Sequence, residues 1–342
     1  MPMKVLTITP WYPSEKDSMS GLFVRNFVDE TAQKGAIQTI FSGTRFFDIL
    51  KAIFHYSKKR NRPDVIHLHV VTKQGLLPLF LNRFFNVPYI ITEHWAGYFH
   101  ENGFYKHLAN RPLVGWIYKS FTKKVFSKAA IVTAVSQMLI ARLKELGLVR
   151  DAVVLYNIVP SFFAKSEAVS TPEGDTEFIN VTCFSNKAKN LTGIIDAIKI
   201  IKDKHFRFTF VGDGEDMDMV VKYAHSQGVY NKVRFTGVLE PTQVAQLMNK
   251  ASCLVMNSNY ETACVVLQEA LAVGLPIIST PVGIAPEFKE QIETIEVNNP
   301  ESLAKAMAQF IDKPKDHYQG LDDFKQVPAK LYSMYETLLS SR

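Results

Sequence analysis

Two carboxylates eight residues apart are the first residues whose spacing suggests chemistry. Glu261 and Glu269 stand in Tyr260-Glu261-Thr262-Ala263-Cys264-Val265-Val266-Leu267-Gln268-Glu269, directly after the apolar run Cys253–Asn257. A strand, a short polar turn and a helix beginning near Thr262–Val265 place free backbone N–H groups at the strand's carboxyl end, where an anion can bind. Glu261 falls just before that helix and Glu269 a little over two turns along it. Carboxylates beside an anion site accept hydrogen bonds from sugar hydroxyls, and acidic residues hold ribose in nucleotide-binding folds. The plain alternative for Glu269 is a solvated helix glutamate. His94, in Glu93-His94-Trp95, is a second candidate, because it ends a strand-like run where open α/β sheets bind ligands. His67 and His69 share one strand face; with no third ligand in view, packing or lining a cleft outweighs a metal pair.

Several chemistries are absent. The nearest approach to a dinucleotide motif is Val211-Gly212-Asp213-Gly214-Glu215-Asp216-Met217-Asp218, which lacks the third glycine and carries acids that would repel a pyrophosphate. It reads as a tight strand-to-helix turn with acids favouring the helix N-terminus. No P-loop motif occurs. The three cysteines, Cys183, Cys253 and Cys264, form no C-x-x-C pair and have no histidine at a zinc-ligand spacing, so neither a metal nor another cofactor is expected, and a reducing compartment is. The N-terminal apolar run is too short for a signal segment, and no stretch approaches the ~20 apolar residues of a membrane span. The expected location is cytoplasmic.

The elements that must position these residues alternate along the chain. Strand-like runs occur at Lys4–Thr9, Asp64–Val71, Pro88–Glu93, Ala130–Ser136 and Val153–Tyr156, and again at Phe178–Phe184, Phe206–Val211, Val233–Thr236, Cys253–Asn257 and Pro276–Thr280. They are apolar on both faces and alternate with segments of period near 3.6, such as Leu191–Lys202 and Val265–Val273, which predicts buried parallel sheets. The polar stretch Ser166–Thr176 has almost nothing to bury and reads as a linker. The 342 residues therefore form two doubly wound Rossmann-like α/β domains, 1–165 and 166–320, followed by a helical segment within 321–342.

The net charge of +6 hides an asymmetry. Residues 1–165 hold 22 Lys and Arg against 10 Asp and Glu, a charge of +12, and the rest of the chain holds 17 against 23, a charge of −6. In the basic half, Arg45–Arg60 and Tyr98–Lys128 mix bases with aromatics. Such helices either keep an apolar stripe in the core or lie on an anionic membrane surface. The aromatics are core-spaced and no recognition module is present, so nucleic acid is not an expected partner.

The segment from Tyr260-Glu261 through Leu275-Pro276 to Pro286-Glu287 resembles the signature of the retaining glycosyltransferases of family 4, which have the GT-B fold. Its E-x7-E spacing, Ala272-Val273-Gly274-Leu275-Pro276-Ile277-Ile278 and the following Gly283–Glu287 form one continuous match. Trp11-Tyr12-Pro13 with Gly21-Leu22-Phe23-Val24, Glu93-His94-Trp95, Ala134-Val135-Ser136, Val154–Asn157, Val211–Gly214 and Phe235-Thr236-Gly237 resemble further landmarks of that family. The resemblance implies two Rossmann-like domains facing each other across a cleft. An acceptor-binding domain would span 1–165 and a nucleotide-sugar donor domain 166–320, with the helix in 321–342 crossing back to the first domain.

The activity implied is metal-independent transfer of a sugar from a nucleotide-sugar, a UDP- or GDP-sugar, to an acceptor hydroxyl with retention. The acceptor would be a saccharide or a lipid-linked molecule of cell-surface polysaccharide or glycolipid synthesis, met at the inner membrane face. By the same resemblance Glu269 would hold ribose, Glu261 would lie at the donor sugar, and Thr262, Ala263, Cys264 and Val265 would face sugar or phosphates. Lys189, assisted by Lys187, would meet the diphosphate, Gly21 would lie near the phosphates, and His94 beside the reacting centre. The chain departs from the pattern where Phe184 replaces an arginine and where Thr262 and Cys264 replace glycines. These departures keep open a catalytically silent binding relative; a sugar-nucleotide epimerase of the same fold is a further alternative.

Overall fold

The computed structural model describes residues 2–15, 17, 20–99, 112–165 and 176–340. The expected linker, except Thr176, and the stretch 100–111 of the second basic, aromatic segment lie outside the described residues. Chain contacts divide the molecule into two units: Met1–Ile158 with Lys325–Arg342, and Val159–Phe324.

In the first unit the order is β1 (Lys4–Ile8), α1 (Leu22–Gln33), β2 (Ile37–Phe41), α2 (Phe46–Ser57), β3 (Val65–His69), α3 (Leu76–Phe85), β4 (Tyr89–Glu93), α4 (Pro112–Lys128), β5 (Ile131–Ala134), α5 (Gln137–Glu145) and β6 (Val153–Val154). The strands form one parallel sheet, β2-β1-β3-β4-β5-β6. β3 and β4 are buried along their whole length, as their largely apolar runs predict. The edge strand β2 is largely exposed and lacks such a run, which is why the pattern missed it.

The second unit runs β7 (Thr176–Val181), α6 (Asn186–Lys189), α7 (Leu191–Ile200), β8 (Phe206–Val211), α8 (Met217–Ser226), β9 (Val233–Phe235), α9 (Pro241–Lys250), β10 (Cys253–Met256), α10 (Val265–Val273), β11 (Ile277–Ser279), β12 (Ile292–Thr294) and α11 (Pro300–Asp312). Its parallel sheet has the order β12-β11-β10-β7-β8-β9. The edge strand β12, with two exposed residues of three, also escaped the sequence pattern. Phe178, Phe206, Phe208 and Phe210 build an aromatic core with Phe310 of α11. The last helix, α12 (Val327–Ser340), packs Val327, Leu331, Tyr335 and Leu338 against Met3, Val5, Phe27 and Val65 of the first unit.

Each sheet has a point where its strand order reverses, between β1 and β3 in the first and between β7 and β10 in the second. Open parallel sheets bind ligands outside the strands' carboxyl ends at such points. Among the described residues no helix is long and apolar enough to cross a membrane.

Candidate functional site

In the second unit, β7 and β10 lie side by side and send two turns out of the same edge. The turn after β10 is fastened to the one after β7 by hydrogen bonds. Asn257 Nδ2 donates to the Asn190 carbonyl at 3.1 Å, Asn259 Nδ2 to that of Lys187 at 2.9 Å, and the Asn259 amide to that of Ala188 at 2.7 Å. This clamp brings Lys189, the last residue of α6, against Glu261, the carboxylate ahead of α10, and the two form an ion pair. Ser258 Oγ donates to the same Glu261 oxygen at 2.9 Å, while Thr280 Oγ1 donates to the Ser258 carbonyl at 2.7 Å. The paired side chains are 16% and 13% exposed, so both ions are largely withdrawn from water yet reachable from it. Burial alone would pull the Lys189 ammonium down. The Glu261 carboxylate, with smaller contributions from Cys264 and Cys183, outweighs it and holds the lysine above its ordinary range, fully charged.

The head of α10 is unusual. Cys264 caps it with φ 63°, a left-handed conformation that a side chain adopts at a cost and a glycine freely. The Ile284 amide donates to the Ala263 carbonyl at 3.1 Å, and a Cβ on Gly283 would come within 2.5 Å of that oxygen. The turn is therefore held from both sides. The Leu267 amide donates to the Cys264 carbonyl at 3.0 Å, while the amides of Val265 and Val266 ahead of it have no acceptor within the helix, which leaves them for an anion. Ala263 and Cys264 are buried, and Thr262 and Val265 partly so. Glu269 follows on α10, part-buried, and burial pushes its carboxyl up to about 8.

The position where the resemblance calls for arginine is filled differently. Phe184 is fully buried and packs on Phe210 and Phe235, so it offers the site no charge. Lys187 is exposed beside it in sequence. Gly212 and Gly214 have a packing reason: a Cβ on either would run into the backbone of Thr182 or Phe184, at 1.8 and 2.7 Å. That glycine pair serves backbone packing between two turns.

In the first unit, Gly21 caps α1 with φ 68°, and a Cβ there would sit 2.3 Å from the Trp11 carbonyl oxygen. His94 follows β4 and is 8% exposed. The loop carrying it is fixed by the buried Glu93, whose carboxylate accepts from the amides of Val71, His94 and Trp95 and from Tyr98 Oη, all at 3.0 Å. Burial raises the Glu93 carboxyl, and these four donors oppose it. His94 packs on Phe23 and sits with Nε2 3.0 Å from His69 Nδ1. Burial keeps His94 neutral down to about 3, the nearby Asn157 side chain acting against it. His67 likewise falls to about 3 and His69 well below its ordinary value, again through burial. Among the described residues no group of three His, Cys, Asp or Glu side chains could hold a metal ion.

Sequence reasoning did not pick out Asn257 and Asn259, which clamp the two turns, or Ser258, which donates to Glu261. The signal available was the run of Asn and Ser after β10, residues that hydrogen-bond backbone in turns. The Lys189–Glu261 pairing had no such signal, since 72 residues separate the partners.

Residues 162–322 match the family described as "Glycosyl transferases group 1", and residues 19–157 that described as "Glycosyl transferase 4-like domain". A glycogen synthase of Mycobacterium tuberculosis is 23% identical over 229 residues, 65% of this chain and 53% of that protein. A lipopolysaccharide core biosynthesis glycosyltransferase of Rhizobium meliloti is 25% identical over 158 residues, 45% of each chain. The chain thus spans about half the length of these curated relatives. Among solved structures, sucrose-phosphate synthase of Thermosynechococcus elongatus superposes with a TM-score of 0.77 at 15% identity, covering 99% of this chain and 100% of that one. The Anabaena protein HepE, in complex with UDP and glucose, gives 0.69 at 17% identity, covering 99% and 95%. With two family matches that together take in most of the sequence and two parallel doubly wound sheets, the chain belongs to the glycosyltransferases of family 4 type and has the GT-B fold.

Proposed function

We propose that this chain moves a sugar from a UDP- or GDP-sugar to an acceptor hydroxyl with retention at the anomeric carbon, in cell-surface polysaccharide or glycolipid synthesis. The observation that carries the reading is the Lys189–Glu261 pair at the head of α10, where the strand order reverses. A cation and a carboxylate held by one pair of turns suit a substrate with phosphate at one end and sugar hydroxyls at the other. In the reaction, the bond between the anomeric carbon and the phosphate oxygen breaks. Lys189, Lys187 and the N–H groups of Ala263 to Val265 take up the charge on the departing diphosphate, without a metal ion. The acceptor oxygen bonds to the same face of the sugar, and its proton passes to the leaving phosphate oxygen. Glu261 and Thr262 then bind the donor sugar, Glu269 accepts from the ribose hydroxyls, the Gly21 backbone lies near the phosphates, and His94 adjoins the reacting centre.

The acceptor is a saccharide or a lipid-linked molecule at the cytoplasmic membrane face. Supporting this, Phe46, Phe47, Leu50 and Phe54 of α2 and Leu113, Val114, Trp116 and Ile117 of α4 are exposed among lysines and arginines. That is the composition of a surface that settles on anionic lipid. Purified protein incubated with a panel of nucleotide-sugars and saccharide or lipid acceptors is expected to release a nucleoside diphosphate. A protein that neither releases nor is thermally stabilised by UDP or GDP would refute the reading. Phe184 and Cys264 favour one second reading, a relative that binds nucleotide without turnover. Stabilisation by UDP or GDP with no release across the whole panel would establish it.

A further inference from the structure

His67, His69 and His94 form a buried array whose protons can be placed by counting donors. Thr133 Oγ1 lies 3.1 Å from the Ile91 carbonyl and 2.8 Å from Thr92 Oγ1. The carbonyl can only accept, so the single Thr133 hydrogen goes there and Thr133 accepts from Thr92. The Thr92 hydrogen is then committed, and in its 2.7 Å contact with His67 Nε2 the histidine must donate. A neutral ring carries one N–H, so His67 Nδ1 is bare and accepts from the Tyr335 hydroxyl at 2.6 Å. Both nitrogens of His67 are thereby engaged, and His69, whose ring centroid lies 3.9 Å away, receives nothing from it but contact.

Among the described residues the His69 side chain has one hydrogen-bond contact, with His94 Nε2, 3.0 Å from its Nδ1. Its own Nε2 is buried and meets no hydrogen-bond partner among the described residues. One of the two facing nitrogens carries the shared proton. Were His94 the donor, the His69 proton would sit on Nε2, a buried N–H without an acceptor, the kind of orphan folded proteins tolerate least. With His69 as donor only a lone pair is left over. His69 Nδ1–H therefore donates to His94 Nε2, and His94 keeps its own proton on Nδ1, the one N–H left to it for the hydrogen bond with the Asn157 side chain.

We propose that His69 is a positioning residue for sugar transfer: it occupies His94 Nε2 and so, together with Asn157, fixes His94 as a ring whose Nδ1–H turns from the Asn157 side chain to an oxygen of the donor substrate when that binds. This rests on the reading of His94 as a residue of the reacting centre. A neutral N–H donor can hold a hydroxyl or phosphate oxygen without exchanging a proton with it, and holding it in one tautomer removes half of the ring's alternatives before substrate arrives.

The test uses full-length protein with 15N-labelled histidine, the His94 signals being identified by their loss in His94→Asn. The wild-type ring is expected to show a protonated Nδ1 and a hydrogen-bonded, unprotonated Nε2 from pH 6 to 9. His69→Phe, which fills the space without a donor, should move the His94 proton toward Nε2. It should also lower kcat about 10-fold, the scale of one lost hydrogen bond, with KM for the nucleotide-sugar changed less than about 3-fold. His69→Asn, whose amide nitrogen can donate from near the Nδ1 position, should restore the tautomer and most of the rate. A wild-type His94 protonated on Nε2, or a tautomer indifferent to His69→Phe, overturns the proposal. A tautomer that shifts while kcat stays constant overturns the positioning role and places the fault in the reading of His94, leaving the His69 hydrogen bond intact.

Discussion

Lys189→Met and Glu261→Gln should affect stability alike and nucleotide binding oppositely. The wild-type pair is 16% and 13% exposed. It falls between exposed ion pairs, worth about 0–1 kcal/mol, and fully buried ones, whose breaking costs about 3–5 kcal/mol. Lys189→Met leaves the Glu261 carboxylate with the Ser258 hydroxyl at 2.9 Å. A loss of about 2 kcal/mol follows. Glu261→Gln keeps an oxygen for Ser258 but strands the ammonium, for a similar loss. Binding should separate them. Without Lys189 the diphosphate loses a charge-assisted contact, and UDP or GDP affinity should fall roughly 30-fold, the equivalent of about 2 kcal/mol. Without the Glu261 carboxylate the lysine has no competing anion, so the same affinity should hold or improve while sugar transfer is lost. Urea unfolding gives the first quantity and calorimetric titration the second. Equal weakening of nucleotide binding in both variants would show that the pair only braces the turn, and would refute the division of labour between the two side chains.

Other perturbations follow from geometry already described. Gly21→Ala combines a left-handed backbone with a Cβ 2.3 Å from the Trp11 carbonyl, so denaturant titration should show a loss of about 2–4 kcal/mol. Glu269 binds its proton more tightly in the folded chain, at about 8, than at its ordinary 4.5. Its contribution to stability is therefore whole below about pH 4.5 and disappears as pH rises through about 8. Nucleotide affinity should rise over the same interval, as the carboxylate becomes able to accept from ribose, and Glu269→Gln should flatten both curves. Phe47→Ser with Phe54→Ser removes two side chains that are 74% and 70% exposed. Stability should change by less than about 0.5 kcal/mol per site, while sedimentation with anionic liposomes should drop. Unchanged sedimentation would remove α2 from the membrane-facing surface.

Strands buried on both faces were legible because such a strand must be apolar throughout, as Val65–His69 and Tyr89–Glu93 nearly are. Ile37–Phe41 and Ile292–Thr294 were not, because an edge strand is held by backbone pairing on one side and its side chains are free to be polar. The helix after Glu261 was legible from its period and from Gly274 at its end, and it begins at Val265. What the sequence could not convey was pairing at a distance. Nothing local marks Lys189 as the partner of Glu261, or shows that Phe184 belongs to the aromatic core. The pair His67 and His69 suggested a strand face, yet their order depends on Tyr335, 268 residues beyond His67.

The return of α12 to the first unit has a consequence for biosynthesis. Tyr335 closes the hydrogen-bond chain through His67, and Leu331 and Leu338 complete the core around Val65. None of these side chains exists as a partner until the ribosome has translated the whole of the second unit. The unit encoded first is therefore finished last, while Val159–Phe324, a unit drawn from one continuous stretch of chain, can condense beforehand. During that interval β1 and β3 expose the apolar face that α12 will cover. A nascent chain stalled before Val327 would present that face to chaperones, and a stop codon there would cost the first unit rather than the second.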